Sequence, residues 1–507
     1  MGNYILAHDL GTSGNKATLF DQQGKFVKSN VHHYDTHYHG VLRAEQNPEE
    51  WWQAICASTR KILSDINPRE IAAVVLSGQM QGCLCVNKKG DALHNSLIYC
   101  DQRSQAETDF LIEAVGAPKI YQITGHRPSP TYSIEKLMWI KNNHPEIFKR
   151  TSFMLQAKEY IIAKLTGEFI TEQNDASGTN ALDLKALNWC EEILDAAGIS
   201  KNILPHIYRS TDIVGKVHSQ AAGETGLLVG TPVVAGAGDG GCATIGAGSV
   251  SPGATYSYLG SSGWTSTTAE EPLDDETMRT FTWAHPIQGY FQLCGSVQTA
   301  GNCLKWFVEN VLQEVQKTEN IYDLVDSAVG QIKPGAEGVI FLPYLMGERT
   351  PWWNIKAKGC WIGLHQHTDW RVMARSLMEG IAMNLAYTYS IFSSSENIER
   401  TRLIGGAART KALVQIIADN LQLPIDTLKY LEESTSLGAA MIGGVGVSLY
   451  DSFDQVLDFN PISKTVLPNR DTKELYAKLK TIFDKAYHQN SAIFDLLFAF
   501  NEQYPFD

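Results

Sequence analysis

Apolar residues along this chain gather in short β-branched and aliphatic runs that stop at glycine- and hydroxyl-rich turns, and these runs alternate with longer segments patterned for helices. The first two runs, Ile5 to Asp9 and Ala17 to Phe20, flank Gly11-Thr12-Ser13-Gly14 and predict strand, tight turn, strand. Ile71 to Leu76 predicts a buried strand that runs into Ser77-Gly78-Gln79-Met80-Gln81-Gly82, and Ser96 to Cys100 a second that runs into Asp101-Gln102-Arg103. Pro232 to Ala235, Ala254 to Leu259 and Leu403-Ile404 are read the same way. Helices are predicted where the period lengthens. One starts at Asn47-Pro48-Glu49-Glu50, with an Asn cap and Pro at the first position, and turns Trp51, Ile55, Thr59, Ile62 and Leu63 inward. Others cover Tyr132 to Ile140, with Leu137, Trp139 and Ile140 in the core, and the segment after Thr410, with Leu413, Ile416, Ile417 and Leu421 on its apolar stripe and Pro424 as its stop. Two more, Leu475 to Phe483 and Ile493 to Phe500, are expected near the end, and Asn174 to Thr179 reads as a polar loop of small residues.

The strand, glycine turn, strand design of Ile5–Asp21 returns at Ala254–Ser266 around Gly260-Ser261-Ser262-Gly263, about 250 residues later, and such spacing predicts a duplicated α/β architecture. A chain of 507 residues is also too long for one core. Two domains are expected, 1–249 and 250–507. A net charge of −13 argues against a general nucleic-acid or anionic-membrane surface, so a polyanion has to be held locally by amides, lysine and metal. Nine scattered cysteines without a CxxC pair fit reduced thiols, and neither a signal peptide nor a membrane-spanning run is read, so the expected location is the cytoplasm.

Several residues then stand out for their chemistry. Glycines at 11 and 14 let backbone N–H groups face a bulky anion, Thr12, Ser13 and Lys16 add donors that suit phosphate, and Asp9 at the strand end has a place to hold a metal ion or its water shell. In Thr231–Gly248, Asp239 is flanked by Gly238 and Gly240; an uncrowded carboxylate suits a base that meets a substrate hydroxyl, and an N-cap is the competing account. Asp101 and Arg103 either pair with each other or meet a ligand. Gly405-Gly406 before a helix suits a nucleobase or ribose as well as tight packing. His32, His33, His37 and His39 read as solvated strand histidines, since no carboxylate or cysteine stands at ligand spacing.

Taken in order, DLGTSG, GQM, the YCDQR version of WxDxR, SxxKLxWI, GDGG, LGSSG, FLPYLMGERTPWWN at 341–354 and IGGAAR resemble the FGGY carbohydrate kinases, and the match covers nearly the whole chain. The resemblance implies an α/β fold of two RNase H-like domains, of the actin and hexokinase-like ATPase superfamily, flanking a central cleft. It implies an ATP- and Mg²⁺-dependent transfer of the γ-phosphate to a small sugar, with no nucleic-acid or membrane partner and a homodimer as an open alternative to the monomer. By the same resemblance Asp239 is the catalytic base and, with Met80, Gln81 and Asp101, a sugar contact. Asp9 and Asp239 lie near the metal. Thr12, Ser13 and Lys16 form the first phosphate loop, Gly260 and Ser261 the second, and Gly301, Gly406 and Thr410 lie at the nucleotide. No GxxxxGK[ST] and no protein-kinase motif set is present, so neither of those designs applies.

Within the family the pattern is most similar to that of the xylulose-specific members, which makes D-xylulose the first expectation for the acceptor. Three positions depart from that pattern: Gln81 where His is usual, Tyr99 where Trp is usual, and Gly240 where Asn is usual. All fall in the expected sugar shell, where a changed hydrogen bond moves specificity strongly, so another pentulose, a polyol or a sugar acid is the alternative. Readings of another class are a catalytically silent sugar sensor, against which the intact Asp9 and Asp239 weigh, and an Hsp70-like ATPase, which needs a peptide-binding β-domain after residue 450.

Overall fold

The computed structural model describes residues 2–40, 42–312 and 320–504. The chain forms two compact units: Met1–Pro252 with Thr268–Gln292 and Glu433–Pro461, and Gly253–Thr267 with Leu293–Glu432 and Ile462–Asp507. The first change of unit comes between Pro252 and Gly253. Two later segments then return to the first unit, which a single cut point does not express.

In the first unit, β1 (Tyr4–Leu10), β2 (Gly14–Asp21) and β3 (Phe26–His33) form an antiparallel run, followed by α1 (Pro48–Ile62) and β4 (Ile71–Gly78). Further on come α2 (Ser133–Asn143), α3 (Gln173–Ser177), β5 (Ile213–Lys216), β6 (Pro232–Gly238) and α4 (Asp239–Gly246). The sheet order is β5-β6-β4-β1-β2-β3, with β1, β4 and β6 parallel. Near-continuous apolar stretches in β1 and β4 follow from this, because parallel strands are covered on both faces. Trp51, Ile55 and Ile62 of α1 pack on Leu6, Leu19, Val74 and Leu76. The Asn47 side chain caps α1 by accepting from the Glu49 N–H, as its sequence predicts.

The second unit contains β7 (Thr255–Leu259), β8 (Gly263–Ala269), β9 (Phe291–Val297), α5 (Gly301–Trp306), α6 (Trp370–Phe392), β10 (Thr401–Ile404), α7 (Lys411–Leu421), β11 (Ile425–Leu428), β12 (Ile462–Val466) and α8 (Lys473–Gln503). Its sheet carries the order β9-β8-β7-β10-β11-β12. β7 pairs antiparallel with β8 and parallel with β10, as β1 does with β2 and β4. The duplication expected from the two glycine turns is therefore a duplication of sheet topology.

Three sequence expectations are corrected. Asn174 to Thr179 is not a loop throughout: Gln173–Ser177 is a buried helix, because the Glu172 carboxylate accepts from the Asn174 and Asp175 N–H groups, the Asn174 and Ser177 side chains donate to backbone carbonyls, and the Asp175 carboxylate lies 3.4 Å from the Lys158 ammonium. The strand expected over Ser96 to Cys100 is only Ser96–Leu97. The two helices expected near the end are one, α8, since nothing between Phe483 and Ile493 breaks a helix; Tyr476, Leu479, Phe483, Tyr487 and Phe494 form its buried face. Past residue 450 the described residues hold one strand, the short helix Val456–Phe459, two 3₁₀ turns and α8, with no β-domain of the Hsp70 kind. No helix among the described residues is long and apolar enough to cross a membrane.

α4 is held from behind by the helix Ser434–Gly446, which also packs on β1, β4 and β6. The two backbones nearly touch: a Cβ on Gly438 would lie 1.8 Å from the Cys242 carbonyl oxygen, and one on Gly246 1.7 Å from that of Ser434. Overpacking of this kind typically costs about 1–3 kcal/mol. Gly438→Ala is accordingly expected to lower stability by at least that much in urea denaturation, and a midpoint equal to wild type would contradict the packing described.

Candidate active site

Asp9 sits at the end of β1, opposite Lys16 of β2 and Ser77 of β4. The Ser77 hydroxyl donates to its Oδ1 at 3.1 Å. Burial pushes the Asp9 carboxyl above its ordinary range, while Ser77 and the charge of Lys16 oppose that shift. The turn that follows is fixed through its carbonyls. Gly11 O accepts from the Tyr34 hydroxyl at 2.5 Å, Thr12 O from Gln46 Nε2 at 2.6 Å, and Ser13 O from the Tyr34 N–H at 3.3 Å. Holding the carbonyls this way sets the orientation of the peptide planes between them, which is what an anion-binding turn needs. Thr12 and Ser13 are solvent-accessible, and the Thr12 hydroxyl reaches the Tyr99 hydroxyl at 3.5 Å.

The polar segment after β4 is locked to this turn. Gln79 Nε2 donates to Gln46 Oε1 at 2.6 Å, so Gln46 bridges the two. Met80 is buried, and Gln81 takes a left-handed backbone with φ 64°. The buried Lys136 of α2 donates from Nζ to the carbonyls of Gln81 (2.8 Å), Ile98 (2.8 Å) and Thr131 (2.5 Å). It thereby ties three separate segments to one ammonium. Orphaning these carbonyls in Lys136→Met is expected to cost on the order of 3 kcal/mol or more by chemical denaturation. An unchanged midpoint would show the clamp to be dispensable.

Asp239 is the first residue of α4 and is half-buried. Gly238, not Asp239, occupies the cap position, and the Asp239 carboxylate accepts from the Gly240 N–H at 2.7 Å. Of the two accounts weighed from the sequence, the N-cap is thus not the one this geometry supports. Burial, and secondly the charge of Asp9, push the Asp239 carboxyl up to about 7. Burial raises the phenol of Tyr99, the Thr12 hydroxyl opposes that shift, and the charge of Asp239 is among the smaller contributions that add to it. Asp9, Thr12, Tyr99 and Asp239 consequently form one electrostatic neighbourhood.

The loop around Asp239 is positioned by residues that periodicity did not mark. Asn174 Oδ1 accepts from the Gly238 N–H at 3.1 Å, and Asn174 Nδ2 donates to the Ala284 carbonyl at 2.7 Å. Met80 packs on Gly238, and the Trp283 ring packs on Gly240, where an added Cβ would lie 2.5 Å from Trp283 Cζ3. An asparagine at 240, the residue of the pattern above, therefore has no room. Asp101 is fully buried, and its carboxylate accepts from the Ala44 N–H at 2.7 Å and bidentately from Arg103, which also pairs with Glu45 at 2.8 Å. The pairing account of Asp101 and Arg103 is the one the geometry supports, and Asp101 holds the scaffold rather than facing outward. The four histidines are solvent-exposed, and no group of three or more metal-ligating side chains occurs among the described residues.

In the second unit, Gly260, Ser261, Gly301 and Gly405-Gly406 come together. Gly301 N donates to Gly260 O at 2.9 Å, and the Ala300 and Asn302 N–H groups donate to Ser261 O at 2.9 and 3.0 Å. Gly405 lies against the end of β7, where a Cβ would be 2.7 Å from Leu259 O. Ser261 and Gly406 are exposed, and space around Gly406 is open. Thr410 is half-buried four residues further on, at the start of α7. Glu348 of the GERTP segment is internal: its carboxylate accepts from Gln298 N (2.7 Å), Arg349 N (2.7 Å) and Asn384 Nδ2 (2.6 Å).

Ser77, Tyr34, Gln46, Asn174 and Trp283 support the candidate residues without having been singled out from the sequence. Ser77 lay in a turn already marked. Gln46 and Tyr34 act only through contacts distant in the chain, and no local pattern announces them.

Residues 4–246 match the N-terminal domain, and residues 255–447 the C-terminal domain, of the FGGY family of carbohydrate kinases. A xylulose kinase of Lactococcus lactis subsp. lactis (strain IL1403) is 30% identical over 509 residues, 99% of each chain. A gluconokinase of Bacillus licheniformis is 29% identical over 493 residues, 95% of each. Among solved structures, ligand-bound xylulose kinase from Lactobacillus acidophilus superposes with a TM-score of 0.92 at 27% identity, covering 97% of this chain and 99% of that one. With both halves of the sequence and the whole of the architecture in agreement, the chain belongs to the FGGY carbohydrate kinases and is a phosphotransferase.

Proposed function

We propose that the protein transfers the γ-phosphate of ATP to a hydroxyl of D-xylulose, forming xylulose 5-phosphate, with Asp239 as the base that accepts the proton of the attacking hydroxyl. The observation that supports this most is the placement of Asp239: a partly open carboxylate on a glycine-flanked helix start, in electrostatic contact with Asp9 of the glycine-hydroxyl turn. Phosphoryl transfer demands little covalent chemistry from a protein; it demands an oriented oxygen nucleophile, a nearby base and compensation for phosphate charge. In this reading Thr12, Ser13 and Lys16 grip phosphate oxygens, and Gly260, Ser261, Gly301, Gly406 and Thr410 hold the nucleotide. Met80 and Gln81 shape the acceptor side.

The residues fit a magnesium ion. Mg²⁺ takes one or two carboxylates and otherwise keeps waters and phosphate oxygens, so it does not need a closed protein cage. Asp9 and Asp239 supply two hard oxygen donors whose mutual repulsion a dication relieves. When bound, Mg²⁺ neutralises charge on the phosphate oxygens.

A second acceptor class, an aldonate such as gluconate, is favoured by two observations: the likeness to a gluconokinase at 29% identity, and the departures at Gln81, Tyr99 and Gly240. Sugar-dependent ADP release against pentuloses, hexuloses, polyols and aldonates, with the phosphorylated position identified, separates the two. D-xylulose at the head of the panel supports the first reading and an aldonate at its head the second. Silence on the whole panel, with tight binding of one member, would replace both with a sensor.

A further inference from the structure

The solvent side of α8 carries a pattern that its own unit does not use. Ile482, Ala486, Gln489, Ile493, Leu496 and Phe500 follow one another at alternating steps of four and three residues, the spacing of a coiled-coil seam, which places them on one stripe of the helix. That stripe flanks the buried face that runs from Tyr476 to Phe494. Leu496 is 71% exposed, Ile482 52%, Ile493 50% and Phe500 49%. Leu497 (43%) and Tyr504 (53%), whose ring lies 4.9 Å from that of Phe500, widen the apolar surface. No charged residue stands on the seam, and the exposed Ala492 and Ala499 beside it leave room for a second backbone to approach. The end of α8 also lacks the packing that ordinarily keeps a helix formed: Phe494 is its last buried residue, and none of the described residues 495–504 is buried. Helical stability in water comes mainly from tertiary packing of an apolar face, so these last turns call for a partner.

We propose that this stripe is the interface of a homodimer, in which α8 of a second copy packs against it across a twofold axis near Ile493. An apolar seam of heptad spacing is complementary to another of the same spacing, and a twofold axis brings the same stripe of both copies together. The area is sufficient: six large side chains, each about half exposed, present on the order of 600 Å², against about 800 Å² that each partner gives to an interface of standard size. Patches of that extent are uncommon on a monomer. The net charge of −13 disfavours an anionic membrane as the occupant. Dimerisation through this face is independent of which acceptor the active site takes.

The test is sedimentation velocity on the full chain across the micromolar range, with the wild type and the double variant Leu496→Glu, Phe500→Glu. The wild type is expected to sediment as a dimer. In the double variant the dimer Kd is expected to rise at least about 100-fold, because two central apolar contacts are lost and like charges meet across the axis. Both positions are exposed, so the variant is expected to keep a cooperative urea transition. Ile493→Cys gives a second reading that leaves the rest of the seam intact: a short bis-maleimide is expected to link it into covalent dimers well in excess of the wild type. A wild type that is monomeric throughout, a double variant that stays dimeric, or no excess linking in Ile493→Cys would overturn the inference. Binding of a monomeric wild type, but not of the double variant, to vesicles of phosphatidylglycerol and phosphatidylcholine would also overturn it and give the face to a membrane.

Discussion

Asp239→Asn is expected to lower kcat for acceptor phosphorylation by about 10²–10⁴-fold, the usual worth of a general base, while nucleotide affinity stays close to wild type. The substitution is isosteric and keeps an oxygen that accepts from the Gly240 N–H. Its structural effect is therefore small. It also removes a half-buried charge that is repelled by that of Asp9, so the folded state is not expected to suffer. A loss of turnover with unchanged denaturation and unchanged ADP binding by calorimetry is the predicted pattern. Normal turnover would remove Asp239 from the chemistry.

The second large effect is expected at Asp9. Asp9→Asn takes away the one carboxylate at the end of β1, where it faces Ser77 and Lys16, and with it a charge that fits the metal. Loss of a preorganised group that acts on transition-state charge typically costs about 10²–10³ in kcat, and that range is expected here. The Mg²⁺ concentration for half-maximal activity is expected to rise as well. A titration with an unchanged midpoint would place the metal elsewhere. These two variants separate by their readouts: Asp239→Asn acts on turnover at saturating Mg²⁺, whereas Asp9→Asn acts on the Mg²⁺ requirement too.

Much of this architecture was legible because its elements are announced locally. β1, β4 and β7 are apolar runs that end in glycine or hydroxyl residues, and α1 carries its own cap and Pro signal. α3 was missed because its residues are polar and yet buried; their partners, such as Glu172 capping Asn174 and Asp175, are defined by the fold rather than by period. α8 was split in two because its middle is polar, though nothing there stops a helix. In the candidate site the residues on turns, Asp9, Thr12 and Asp239, were visible from glycine spacing. Asp101 was visible too, but its exhaustion by Arg103 and Ala44 was not, since a carboxylate's partners are set by register and not by neighbours in sequence. Trp283 lies in a strand without any motif, and only its approach to Gly240 brings it to notice.

The most direct test of the account is to follow the phosphate itself. Phosphorus NMR of ATP, Mg²⁺ and acceptor with the purified protein is predicted to show the γ-phosphate signal replaced, one for one with ADP, by a sugar phosphomonoester, and the conversion to be slowed at least about a hundredfold in Asp239→Asn. ADP accompanied only by inorganic phosphate, with every acceptor tried, would contradict it.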